Sequence, residues 1–226
     1  MQVAVISDVH ANKVAFDAVL DDLGSNASDD STPESIVCAG DVVGYNPWPA
    51  ECVAEVRTRE IPTVMGNHDR AVASDTSFRF NSMAAAGVEY ARERLDDDAV
   101  EWLSGLPDAR TVLDGRIKLV HGHPDDPDRY TYPEEFSPSM LGDEDVLVTG
   151  HTHVQGHKQF EEGTVMNPGS VGQPRDGDPR AAYAVVDLDD QSVDERRVEY
   201  DIDAVAEAVA DAGLPARIGE RLYDGR

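Results

Sequence analysis

Five short polar clusters, each following an apolar run of strand length, constrain this chain more than any other feature. They are Asp8-Val9-His10, Gly40-Asp41-Val42-Val43-Gly44, Gly66-Asn67-His68-Asp69, His121-Gly122-His123 and Gly150-His151-Thr152-His153. Six of the seven histidines fall within four of these clusters. The preceding runs, Val3 to Ser7, Ser35 to Ala39, Pro62 to Met65, Arg116 to Val120 and Val146 to Thr149, read as buried strands. In α/β sheets, ligands gather beyond the carboxyl ends of the strands. The spacing therefore calls for a fold in which five turns empty into one cleft. Short glycine-flanked turns suit that task, because they hold side chains on rigid strand ends and let backbones approach closely.

Between the clusters, helical periodicity covers Val14 to Leu23, Pro49 to Arg59, Asn81 to Leu95 and Asp97 to Leu103. A hairpin is expected about Asp114-Gly115, between Arg110 to Leu113 and Arg116 to Val120. Strand signals follow at Gly156 to Glu161, Thr164 to Met166, Ala181 to Leu188 and Ser192 to Tyr200. Helices over Asp201 to Ala212 and Pro215 to Tyr223 close the chain. An early βαβαβ half followed by a strand-rich half suggests two sheets packed face to face, with helices outside. No internal repeat or long low-complexity linker interrupts this pattern, so residues 1–226 are expected to form a single domain.

Carboxylate oxygens and imidazole nitrogens suit manganese, iron, zinc or a similar ion. The two cysteines, Cys38 and Cys52, lie outside any CxxC pattern, so neither a disulfide nor a thiolate metal site is expected. Any one cluster is weak evidence, since a lone histidine is usually a core or surface residue. Five in order, each on a strand end, are hard to assemble by chance.

Asp8-x-His10, Gly40-Asp41-x-x-Gly44, Gly66-Asn67-His68-Asp69, His121 and Gly150-His151-x-His153, continued at Asn167-Pro168-Gly169-Ser170, resemble the signature of the calcineurin-like metallophosphoesterases. The length and the Gly-Asp-Val-Val-Gly-Tyr stretch are similar to the small prokaryotic phosphodiesterase branch of YfcE-like proteins. The resemblance implies a four-layer α/β/β/α sandwich of two mixed sheets flanked by helices. It also implies that Asp8, His10 and His153 bind one divalent metal, that Asn67, His121 and His151 bind a second, and that Asp41 bridges both. Manganese is the expected ion, with iron, zinc, nickel or magnesium as alternatives. His68 is implied to stand near the leaving group, with Asp69 as its partner.

The expected reaction is hydrolysis of a phosphodiester by a metal-bridging hydroxide attacking in line with the leaving alkoxide. Further substrate contacts are weighed at Asn12, His123 and Arg175, with His123 weighed also as an extra metal ligand. For each the competing reading is ordinary: a helix cap for Asn12, a solvent-facing loop for His123, an exposed turn for Arg175. Tyr45 and Trp48 are pocket candidates or packed loop anchors, and His157 reads as a surface residue. The same metal pair would also serve a phosphomonoesterase or a dinucleoside polyphosphate hydrolase. A non-catalytic scaffold is the reading from a different class. A structural zinc site is disfavoured, because it would use four closed ligands, often with cysteine.

Charge narrows the partners. The formal net charge is −26, from 45 acidic and 19 basic residues. Such a field repels bare nucleic acid and anionic membranes, and no apolar run approaches the ~18 residues of a membrane span. A small phosphoester, nucleotide-derived, is the expected partner, with no membrane and no stable nucleic-acid complex; a homo-oligomer is compatible, with no residue marking its surface. The acidic residues are spread along the chain, as in proteins adapted to high salt, where screening relieves self-repulsion. No charged-then-apolar leader is visible, so a cytoplasmic location is expected.

Overall fold

The computed structural model describes residues 1–25, 33–74 and 80–226. In chain order the elements are β1 (Gln2–Ile6), α1 (Lys13–Ser25), β2 (Ser35–Cys38), α2 (Pro49–Thr58), α3 (Asn67–Ser74), α4 (Ser82–Arg94), α5 (Asp97–Ser104), β3 (Ala109–Val112) and β4 (Ile117–Val120). They continue as β5 (Val146–Val148), β6 (Gly156–Gln159), β7 (Thr164–Asn167), β8 (Ala181–Asp187), β9 (Ser192–Val198), α6 (Ile202–Asp211) and α7 (Arg217–Glu220). Short 3-10 turns lie at Pro133–Glu135, Pro138–Met140 and Arg221–Asp224.

Two mixed sheets form. The first has the order β2-β1-β8-β9 and the second β3-β4-β5-β7-β6. In the first, β1 runs parallel to β2 and antiparallel to β8. In the second, β4, β5 and β7 run parallel, with β3 and β6 antiparallel at the edges.

The two-residue period of β1 explains why it needs a layer on each face. Val3 and Val5 join Val37, Ile117, Leu119 and Val148 in the core between the sheets. Ala4 and Ile6 join Phe16 and Val19 of α1 and Val53 of α2 in the core beneath the helices. Each fully buried Val or Ile contributes about 1.5–3 kcal/mol over an exposed one. The outer face of the second sheet, through Val120, Leu147 and Val165, is covered by Phe136 and Met140 from the 3-10 turns. The expected sandwich of two mixed sheets with helices is therefore the fold, with its fourth layer built from these short turns.

Two local expectations need correction. Pro62 to Met65 runs beside β2 but makes only an isolated parallel bridge, Cys38 with Thr63. The ladder stops because the Met65 N–H donates to the Pro107 carbonyl (2.8 Å) and the chain then turns into α3. The Gly66–Asp69 cluster, read as a loop, supplies the first turn of that helix.

Candidate active site

All five clusters lie at one end of the sheets, after β1, β2, β4, β5 and the 62–65 segment. The turns after β1 and β2 are zipped together by three backbone hydrogen bonds. The N–H groups of Asp8, His10 and Ala11 donate to the carbonyls of Gly40, Asp41 and Val42 at 2.9, 2.9 and 2.8 Å. Asp8, His10, Asp41, His151 and His153 all take left-handed backbone, with φ of 52, 48, 54, 67 and 60°. Such conformations cost non-glycine residues about 1–3 kcal/mol each and persist only where the surroundings enforce them. Two glycines make the close packing possible. A Cβ on Gly66 would lie 2.0 Å from Asp41 Oδ1, and one on Gly150 would lie 2.2 Å from Ser7 Oγ.

Each carboxylate has one oxygen tied down and one turned inward. Asp8 Oδ2 accepts from Ser7 Oγ (2.7 Å) and from the His151 N–H (3.1 Å), while Oδ1 faces His153 Nε2 at 3.1 Å. Asp41 Oδ1 accepts the His68 N–H (2.8 Å), while Oδ2 lies 3.6 Å from His10 Nε2 and 3.4 Å from His121 Nε2.

The imidazoles are oriented in the same manner. His10, His121 and His153 donate from Nδ1 to the carbonyls of Val43 (3.1 Å), Ala39 (2.8 Å) and Gln173 (2.5 Å). That leaves each Nε2 with a lone pair. These lone pairs meet other acceptors. His10 Nε2 and His153 Nε2 are 3.1 Å apart, and His121 Nε2 is 3.1 Å from Asn67 Oδ1 and 3.2 Å from His151 Nδ1. Asp8 Oδ1 and His151 Nε2 are buried without a hydrogen-bond partner. Facing lone pairs and buried polar atoms without a partner, a carboxylate oxygen among them, are costly unless a cation sits there. The donor set therefore fits metal. Asp8, His10 and His153 form one group whose donor atoms lie within 4.8 Å of one another, and Asp41, His121 and His151 form another; His10, Asp41 and His68 form a third, overlapping group.

Electrostatics favour the same states at Asp41, His10, His68 and His151, and depart from them at His121. Burial pushes the Asp41 carboxyl up, but His121, His68 and His10 outweigh it and hold it well below the usual range. Burial holds His10 well below the ordinary imidazole value, His68 at about 4 and His151 at about 3. His121 goes the other way: burial opposes its protonation, yet Asp41 raises it to about 10. A proton is favoured there for the reason a metal would be, namely the adjacent carboxylate. Ionised carboxylates and neutral imidazoles are the forms that bind metal.

The remaining expected residues separate. His68 borders the cavity, its ring stacked on Phe80 (centroids 4.6 Å, 17°) and 4.7 Å from the Tyr45 ring. Asp69 does not pair with the His68 ring. Its two oxygens accept the N–H groups of Val43 and Gly66 (both 3.1 Å), so it fastens two of the turns together. Arg175 lines the cavity instead of standing on an exposed turn, with Nη2 bonded to Gln173 Oε1 (2.8 Å) and Tyr45 Oη (3.4 Å). His123 stays outside the cavity lining; its Nδ1 accepts the Asp125 N–H (3.1 Å) within a turn, so the substrate contact weighed for it gives way to a turn role. His157 is a surface residue bonded to Glu195 (2.6 Å).

Asn12 is a helix cap. Its Oδ1 accepts the Ala15 N–H (3.2 Å) and its Nδ2 donates to the Gly172 carbonyl (2.9 Å), and the residue lies outside the cavity lining. Asn12→Ala is expected to cost about 1–2 kcal/mol of stability. Chemical denaturation measures the loss, and a rise in KM without destabilisation would restore the substrate contact.

The cavity, about 130 Å³, is lined by Asp41, Asn67, His68, His151, His153 and Arg175, with Tyr45, Phe80 and Tyr130 as aromatic walls. Tyr130 packs on His151 with ring centroids 3.9 Å apart. Phe80 and Tyr130 escaped the sequence reading because neither belongs to a motif; only the tertiary fold brings them here.

Residues 1–191 match the calcineurin-like phosphoesterase superfamily domain, and the chain belongs to that metal-dependent family of phosphoester hydrolases. It is 33% identical over a 247-residue alignment to the protein MJ0912 of Methanocaldococcus jannaschii, covering 99% of this chain and 98% of that one. It is 28% identical over 200 residues to the phosphodiesterase YfcE of Escherichia coli, covering 85% and 91%. The crystal structure of a metallophosphoesterase from Sphaerobacter thermophilus superposes with a TM-score of 0.85 at 35% identity, covering 100% of this chain and 99% of the other. Small phosphoesters are thus the substrate class. No described helix is long and apolar enough to cross a membrane.

Proposed function

We propose that this chain is a phosphodiesterase working with two divalent cations that share Asp41. The observation that carries the reading is the position of Asp41 Oδ2 between His10 Nε2 (3.6 Å) and His121 Nε2 (3.4 Å). On this reading Asp8, His10 and His153 hold one cation, and Asn67, His121 and His151 hold the other. Manganese is the ion we assign, since oxygen and nitrogen donors without thiolate suit it; iron, zinc, nickel and magnesium are the alternatives. The bound pair supplies Lewis acidity toward the phosphoryl oxygens and acidifies water toward neutral pH.

The chain's own residues do the positioning. Arg175 presents its guanidinium to the cavity, where it attracts the phosphate oxygens of the substrate. His68 gives a hydrogen bond or proton to the departing oxygen. Asp69 acts indirectly, by fixing the backbone of Val43 and Gly66 around it. A cavity of about 130 Å³ suits a phosphoryl group with the first atoms of its ester arms. The preference for diesters draws on the name of the YfcE relative. We extend the proposal to a single domain over 1–226, a nucleotide-derived substrate, a cytoplasmic setting and adaptation to concentrated salt, the last from the −26 formal charge.

Chelation followed by manganese titration tests this reading. Hydrolysis of bis-nitrophenyl phosphate in high salt is expected to vanish with chelator and to return as binding reaches two ions per chain. Activity that survives chelation, or saturation at one ion, would refute it. Faster turnover of nitrophenyl phosphate would favour the monoesterase.

A further inference from the structure

Carboxylates outnumber cationic side chains 45 to 19 in this chain, so arginines lacking a carboxylate partner call for an explanation. Among the described residues, Arg59, Arg70, Arg116, Arg180 and Arg197 are ion-paired with Asp or Glu. Arg175 and Arg221 pair with no described Asp or Glu side chain, yet they converge on one spot beside the cavity.

Two parts of the chain bring them together. Ile218 of α7 and Leu222 of the closing 3-10 turn pack in one apolar cluster with Tyr45, and Arg221 between them lies beside the Tyr45 hydroxyl. That hydroxyl is 3.4 Å from Arg175 Nη2. The segment carrying Arg175 is also tied to the chain end, because the Gly177 N–H donates to the Gly225 carbonyl (3.0 Å). Gly225 in turn packs so tightly that a Cβ there would lie 2.6 Å from the Asp178 carbonyl. Arg221 Nε donates to the backbone oxygen of Arg226, so its terminal nitrogens face the Tyr45 hydroxyl side. Arg175 Nε is buried without a partner. Burial, then Arg175 and Arg217, hold Arg221 below its ordinary pKa. Cations placed this close repel one another, and an anion between them reverses the sign. Two guanidinium forks with a tyrosine hydroxyl between them match the oxygens of a phosphate.

We propose that Arg221 and Arg175, with the Tyr45 hydroxyl between them, form a second phosphate subsite, so that the preferred substrate is a phosphoester bearing a second phosphate group. Arg221 is then a specificity-determining residue outside the stretch 1–191 that matches the family domain. The inference rests on the phosphoesterase reading of the cavity.

The test is competitive inhibition of bis-nitrophenyl phosphate hydrolysis by the manganese-loaded enzyme, with manganese in excess over inhibitor. Three inhibitors are compared: AMP, ADP and adenosine 3′,5′-bisphosphate. At least one of the two-phosphate compounds is expected to bind tenfold or more tightly than AMP. Arg221→Ala should erase that advantage, and Arg221→Lys should keep part of it. Preference for ADP identifies a polyphosphate chain; preference for the bisphosphate identifies a phosphate elsewhere on the leaving group. Equal inhibition by all three, or an advantage that survives Arg221→Ala, overturns the proposal. If the chain hydrolyses no phosphoester, the catalytic reading has failed separately, and calorimetric binding of the same three compounds still decides the role of Arg221.

Discussion

Asp41→Ala is expected to strip both metals and to lower hydrolysis at least about 10³-fold, the scale of losing several kcal/mol of metal stabilisation. The size of the effect follows from where Asp41 sits. Its Oδ2 is the carboxylate oxygen lying near both His10 and His121. Its Oδ1 accepts the His68 N–H at 2.8 Å and so helps hold the first turn of α3. The residue is buried at 1% exposure, so no water readily replaces the missing charge. The remaining donors would be four imidazoles, one amide and the single Asp8 carboxylate, too little negative charge to hold two dications together. Asp41→Asn separates the contributions, since it keeps an oxygen for the His68 N–H but removes the charge. Elemental analysis beside the nitrophenyl assay reads both variants. Retention of two ions by Asp41→Ala would break the proposed sharing, and loss of only one would assign Asp41 to a single site.

His68→Ala should behave differently, keeping both ions while kcat falls about 10²- to 10⁴-fold, the range for a positioned proton donor. The ring borders the cavity and is clamped by Phe80 and Tyr45. Its Nδ1 is buried without a partner in the protein. The side chain also belongs to a group of possible metal donors with His10 and Asp41. Metal content is therefore the deciding readout: an ion lost with His68 would make it a ligand, and normal turnover with both ions bound would leave it without a catalytic role.

The strands and the residues that converge were legible because both follow simple rules. Apolar runs such as Val3 to Ile6 and Val146 to Val148 give strands, and strand ends gather polar turns. Tertiary placement was not legible. The sequence around Asn12 allowed a cap or a substrate contact, and only the Gly172 carbonyl, 160 residues away, decided between them. Asp69 follows His68 directly, yet α3 turns its carboxylate to the N–H groups of Val43 and Gly66. Left-handed backbone at His10, His151 and His153 leaves no mark in composition, since histidine rarely requires it. Arg221 reads as one more charged residue on a terminal helix until Ile218 and Leu222 pack around Tyr45.

Anomalous diffraction from crystals of the manganese-loaded protein tests the shared-aspartate centre most directly. Two peaks are expected, one on each side of Asp41 Oδ2, the first among Asp8, His10 and His153 and the second among Asn67, His121 and His151. A single peak, or a pair in which Asp41 touches only one ion, would contradict it.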